Sequence, residues 1–87
     1  MPYSIQIKDS AQKELDSLQT KDRRRVEDCI LSLAENPRPI GAKPLKGKSF
    51  KGLHRIRSGN FRVIYQILDQ RLMVIVVKVG DRKDVYD

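Results

Sequence analysis

Tryptophan is absent from this 87-residue chain, and cysteine and histidine occur once each, as Cys29 and His54. One cysteine cannot close an internal disulfide, and the two residues together fall short of the four ligands of a structural zinc site. No metal or other cofactor is therefore expected. The N-terminal run Met1-Pro2-Tyr3-Ser4-Ile5 lacks the basic-then-apolar pattern of a secretory signal, and a reduced, cytoplasmic setting is expected. The longest wholly apolar run, Leu72 to Val77, is far short of the roughly 20 residues of a membrane-spanning helix. No membrane partner is expected. With 39% hydrophobic and 33% charged residues, the chain reads as one folded domain spanning 1–87.

Acidic residues are scarce in one place: none lies between Glu35 and Asp69. That interval holds eight cations, Arg38, Lys43, Lys46, Lys48, Lys51, Arg55, Arg57 and Arg62, and the whole chain carries a net charge of +7. A clustered positive stretch is either a solvated face kept for solubility or the footprint of a polyanion, with nucleic acid the leading candidate.

Tyr3, Ile5 and Ile7 alternate with Ser4, Gln6 and Lys8, the period of a half-buried strand. Asp9 or Ser10 is placed to cap a helix that carries Ala11, Leu15 and Leu18 on one face. Thr20 is placed to cap a second, whose stripe is Val26, Cys29, Ile30 and Leu33 and which stops at Asn36-Pro37. Cys29 on that stripe reads as a small buried hydrophobe. Residues 38–52 show no period and read as a mobile basic loop. Leu53 to Arg57, Phe61 to Leu68 and Leu72 to Val79 read as three strands. The last is apolar on both faces, Met73, Ile75, Val77 and Val79 against Leu72, Val74 and Val76, and is expected in the middle of the sheet.

If Gly59-Asn60 is a two-residue turn, Ser58 faces Phe61, Arg57 faces Arg62, Ile56 faces Val63 and Arg55 faces Ile64. Ile56, Phe61, Val63, Tyr65 and Ile67 then pack toward the helices, and His54 goes with them. Arg55, Arg57 and Arg62 gather on the opposite face. Like charges opposed across a sheet cost stability, so Arg57 against Arg62 calls for a compensating anion, and a bound phosphate supplies one. Gly80 is expected to end the last strand in a turn that brings Arg82 and Tyr86 near these arginines. There a guanidinium would stabilise a pentacoordinate phosphorane, and a phenol would move a proton or stack on a base.

Pro44-Leu45-Lys46-Gly47, Gly52-Leu53-His54-Arg55-Ile56-Arg57, Gly59-Asn60-Phe61-Arg62-Val63-Ile64-Tyr65 and Val79-Gly80-Asp81-Arg82-Lys83-Asp84-Val85-Tyr86, in this order, resemble the RelE/ParE superfamily of toxins, and RelE more than ParE. The resemblance implies an α+β fold in β-α-α-β-β-β order, a twisted four-stranded sheet with a helical hairpin packed on one face. It implies an endoribonuclease that cuts mRNA in the ribosomal A site by 2′-hydroxyl attack, leaving 2′,3′-cyclic phosphate and 5′-hydroxyl ends. By position Arg62 and Arg82 resemble the family's phosphate-holding arginines, Tyr86 its C-terminal tyrosine and Arg57 a further basic position. Leu53 and Arg55 stand where a RelE has two lysines, so Lys51, or Lys48 from the loop, is expected to act as base in their place, and Lys46 joins Lys48 as a phosphate contact. The resemblance further implies a RelB-like cognate antitoxin, the ribosome and its mRNA, and operator DNA bound through the toxin–antitoxin complex.

Two alternatives stand beside this reading. One is a ParE-like inhibitor of DNA gyrase with the same fold and no nuclease chemistry. The other is a non-catalytic RNA-binding or corepressor module, which would show salt-sensitive binding without product ends.

Overall fold

The computed structural model describes residues 2–47 and 52–81. The elements are β1 (Ser4–Ile7), α1 (Asp9–Asp16), α2 (Thr20–Ser32), β2 (Lys43–Pro44), β3 (Leu53–Ser58), β4 (Phe61–Leu68), a 3-10 turn (Asp69–Arg71) and β5 (Met73–Asp81). The sheet runs β1-β5-β4-β3-β2, with β1 parallel to β5 and every other pairing antiparallel. β5 thus lies between two neighbours, as its apolar faces require. This is the expected α+β architecture, with one short strand more than the sequence suggested. No helix among the described residues is long and apolar enough to cross a membrane.

The helical hairpin covers one face of the sheet. Ala11 and Leu15 of α1, one turn apart, Val26 and Ile30 of α2, and Leu33 at its C-cap are buried against Ile56, Val63, Tyr65, Val74, Val76 and Val79. Each such side chain contributes about 1.5–3 kcal/mol on leaving water. Cys29 lies half-buried at the edge of this core, where desolvation pushes its thiol pKa up. The helices begin one residue away from the expected caps. Lys8 and Gln19 occupy the N-cap positions without a capping side-chain bond, and Asp9 and Thr20 are already helical.

Val79 faces the helices with Val74 and Val76, where strict alternation would have sent it to the other side. The cause is a bulge: Tyr65 pairs with Val76 but Ile64 with Lys78, leaving Val77 as an extra residue that inverts the alternation beyond it. Past the end of β1, the Val79 N–H donates to Glu14 Oε1 at 3.1 Å, and Lys78 Nζ donates to Glu14 Oε2 at 3.1 Å. A carboxylate from α1 thereby occupies a stretch of β5 edge that β1 does not reach. Leu72 lies outside the strand, in the left-handed region at φ 49° closing the 3-10 turn.

The segment expected to be a mobile loop is tethered repeatedly over its described part. The Tyr65 hydroxyl donates to the Pro37 carbonyl at 2.8 Å, Arg38 grips Asp69, Lys43–Pro44 pairs with β3, and Leu45 is buried. Proline and glycine erase any period in so short a strand, and that is why it does not show in the sequence. Asp69 accepts from Arg38 Nη1 and Nη2 at 3.1 and 2.8 Å and from the Tyr3 hydroxyl at 2.7 Å. The Arg38 bond, then the Tyr3 bond, hold its carboxyl down to about 2.

Two outcomes follow for stability. Because the folded Asp69 carboxyl titrates near 2 and the unfolded one near 3.8, its stabilisation is whole above the unfolded value and is lost as pH falls through the folded one. Denaturant midpoints measured from pH 5 to pH 2 should fall less steeply in Asp69→Asn than in the parent. At Gly59, φ is +61° and an added Cβ would meet Arg25 Nη1 at 2.9 Å. Gly59→Ala should cost about 1–2 kcal/mol in urea unfolding, chiefly from the left-handed backbone.

Candidate nucleic-acid interface

The hairpin of β3 and β4 has the register its turn requires: Ser58 pairs with Phe61, Arg57 with Arg62, Ile56 with Val63 and Arg55 with Ile64. Alternation along β3 sends Ile56 into the helix-side core and Arg55 and Arg57 to the face without helices, where Arg62 joins them. That face is not bare. Leu45 and Ile64 are buried on it with Leu53 and Val77 against them, a small apolar floor bordered by cations. Arg57 is exposed, Arg55 partly covered, and Arg62 only 9% exposed. Arg62 is thus a nearly buried guanidinium in a sheet row with a second arginine.

Arg62 is also paired with Gly80, so the row reads Arg57, Arg62, Gly80 across three strands and ends on a residue with no side chain. Gly80 does not turn the chain. β5 continues through Asp81, and the glycine keeps an ordinary strand conformation within it. The expected turn at Gly80 is thus corrected. Arg82, Tyr86, Lys48 and Lys51, all expected in the site, lie outside the described residues.

Lys46 is exposed and helps line a cleft of about 350 Å³ together with Lys43, Pro44, Leu45 and Arg55. Lys43 was not singled out in the sequence. It is in register with Arg55 and so shares its face. The signal available was the alternation Lys43-Pro44-Leu45, too brief to stand out.

His54 belongs to the other side, as expected. It stacks on Tyr65 with ring centroids 5.7 Å apart, and burial first, then the charge of Arg38, lower its pKa. Tyr65 itself is pushed up to about 12 by burial. Neither ring reaches the arginine face, so the one histidine and the buried tyrosine do not supply acid–base groups there. What the described residues offer is a set of arginines and lysines around a buried apolar pair, Leu45 and Ile64. Guanidinium groups so placed hold phosphates.

A ParE toxin family model, described as the toxin of the parDE type II toxin–antitoxin system, matches residues 5–86. The chain belongs to this family of toxins. Among individual relatives, it is 31% identical over 88 residues to the mRNA interferase toxin RelE of Escherichia coli K12, covering 99% of this chain and 92% of that one. It is 30% identical to Toxin RelG of Mycobacterium tuberculosis, covering 99% and 98%. The toxin–antitoxin RelBE complex of Mycobacterium tuberculosis contains a chain that superposes with a TM-score of 0.84 at 25% identity, over 94% of this chain and 100% of that one. The archaeal RelE–RelB complex of Pyrococcus horikoshii gives 0.81 at 27% identity, over 98% and 100%.

If Arg57 meets a phosphate, Arg57→Ala should lower the slope of log binding constant against log salt by about 0.7 for a single-stranded RNA oligomer. Fluorescence anisotropy across a salt series measures this. An unchanged slope would place Arg57 outside the contact.

Proposed function

We propose that this chain is the toxin of a type II toxin–antitoxin system and a ribosome-dependent endoribonuclease that cuts mRNA in the A site. The observation that carries the reading is the opposed pair Arg57 and Arg62 on the helix-free face, one of them nearly buried, in a chain 31% identical to an mRNA interferase. Arg62 and Arg57 hold the scissile phosphate, Arg55 belongs with Arg62 to the catalytic set, and Lys46 holds the flanking backbone. Arg82 stabilises the phosphorane and Tyr86 stacks on a base or moves a proton, with Lys51 as the base and Lys48 as a further phosphate contact. The 2′-hydroxyl attacks the adjacent phosphorus, leaving a 2′,3′-cyclic phosphate and a 5′-hydroxyl.

A face made mainly of guanidinium groups is strong in charge stabilisation and weak in proton transfer. Such a site relies on its partner to set the attacking hydroxyl in line, and this supports dependence on the ribosome over cutting of free RNA. The chain acts as a single domain in the cytoplasm. It is neutralised by a RelB-like antitoxin, as the two neighbours solved as toxin–antitoxin complexes suggest, and meets operator DNA through that complex.

The description of the matching family model favours a second reading, a ParE-like inhibitor of DNA gyrase. Primer extension on a defined mRNA in a purified translation system separates the two. Cuts inside the A-site codon, present only with ribosomes and reduced at least 100-fold in Arg62→Ala, are the expected result. Intact mRNA at full ribosome occupancy, with gyrase trapped in DNA cleavage complexes, would replace this reading by the second.

A further inference from the structure

We infer that Lys21, Arg24 and Arg25 form a second phosphate-binding surface, on the outer side of the helical hairpin, which docks the protein on the backbone of the ribosome's own RNA. The inference rests on the ribosome-dependent reading above and adds to it a site apart from the scissile phosphate.

The first observation is a set of cations that the fold does not use. Lys21, Arg24 and Arg25 are exposed along one side of α2, away from Val26 and Ile30, which are buried beneath the helix. None of the three is in an ion pair among the described residues, where Arg38 pairs with Asp69 and Lys78 with Glu14. Lys21 stands three residues before Arg24 and four before Arg25, so the three are like-charged neighbours on the helix surface, an arrangement that weakens a helix. Lys21 is in the first turn and the arginines follow in the second, at the end where the macrodipole favours acids. Gln19 at the N-cap makes no side-chain bond, and Asp22 is the only acid of the first turn. A cation kept for solubility would suit the other end of α2, yet the last turn there carries no basic residue.

The second observation carries the surface beyond the helix. The Ser58 hydroxyl donates to the Arg25 carbonyl at 3.3 Å, and a Cβ added at Gly59 would meet Arg25 Nη1 at 2.9 Å and Cδ at 3.3 Å. The Arg25 side chain thus lies across the β3–β4 turn, held by packing on a glycine. Arg57, exposed two residues before that glycine, stands on the other face of the same hairpin. The surface is therefore built from side chains of α2 laid against the hairpin turn, and the helix end alone does not make it.

The third observation concerns the occupant. From Lys21 to Asp28 the exposed side chains are Lys21, Arg24, Arg25 and Asp28, none of them apolar, and the exposed Leu31 comes two turns after Arg24. A protein partner needs apolar contact at the centre of its interface, whereas phosphates are held by guanidinium and ammonium groups alone. The mRNA strand does not serve here. A helix with its side chains is about 10–12 Å across, so a strand against Arg57 and Arg62 on the open face of the sheet does not touch the outer side of α2. The patch requires a separate RNA backbone, and in a ribosome-dependent nuclease the ribosome supplies it. Such contacts fix position and orientation without reading sequence.

The test uses Lys21→Gln/Arg24→Gln, which removes two charges that the helix does not need and should leave the urea midpoint at or above that of the parent. Binding to mRNA-programmed ribosomes should weaken roughly 10-fold at about 0.1 M salt, and the slope of log binding constant against log salt should fall by about 1.5. Binding to a short single-stranded RNA oligomer should stay within about two-fold of the parent, and single-turnover A-site cleavage at saturating protein within a few-fold. Hydroxyl-radical footprinting at equal occupancy should show ribosomal RNA that the parent protects and the variant leaves open. Unchanged ribosome affinity and slope, or equal weakening on ribosome and oligomer, would overturn the second surface and leave the nuclease reading standing. Weaker binding with every ribosomal RNA protection retained would assign the patch to a protein partner and overturn the RNA docking. A parent protein that neither binds ribosomes nor cuts mRNA on them would overturn the ribosome-dependent reading itself.

Discussion

Everything at the candidate site depends on the register of one hairpin. A two-residue turn at Gly59 and Asn60 fixes which side chains of β3 and β4 face each other, and a slip by one residue would exchange the two faces of both strands. In the observed register the helix-side core takes Ile56, Val63 and Tyr65, and the arginines go to the other face. Burial of the first set holds the second in place. Arg57 and Arg62 are directly opposed in this register, and the valine and isoleucine buried behind them stabilise it. The fold thus holds these guanidinium groups at fixed places, the condition under which a site can be ready for an anion before the anion arrives.

The rest of the sheet serves the same end. The bulge at Val77 turns Val79 inward, Glu14 meets the backbone it leaves, and Gly80 then falls beside Arg62 without a side chain. At the far end, Tyr3, Arg38 and Asp69 join the N-terminal strand, the segment after α2 and the turn before β5 into one cluster. That cluster and the Tyr65 bond to Pro37 start the basic segment from a fixed point, from which Lys43 reaches Arg55 in register. Charge that reads in the sequence as a diffuse basic stretch is therefore sorted by secondary structure. Arg38 supports the scaffold, Lys43, Arg55, Arg57 and Arg62 share one face, and Arg25 lies over the hairpin turn.

The hairpin was legible because alternation and turn chemistry agree over Leu53 to Leu68, and so were the helical pair, the placement of His54 and the central position of β5. The bulge was not: it falls within the run Met73-Val74-Ile75-Val76-Val77, where either face accepts any residue and no local signal marks the extra one. The pairing of Lys43 with Arg55 was hidden because two residues are too few for a period and one of them is proline. The Asp69 cluster joins residues 66 and 31 positions apart in the chain, a relation that a pass along the sequence does not expose. Strong local patterns were readable, and features set by a neighbouring strand or a distant partner were not.

The central claim is that the helix-free face, with Arg62 at its middle, is where the scissile phosphate sits. An electron cryomicroscopy structure of this protein on a translating ribosome, with mRNA blocked by a 2′-O-methyl group at the cleavage position, tests it most directly. The account predicts the blocked phosphate within hydrogen-bonding distance of the Arg62 guanidinium, with Arg57 on the same backbone and Gly80 beside it. An mRNA that runs along the helical hairpin, or leaves Arg62 facing no phosphate, would contradict it.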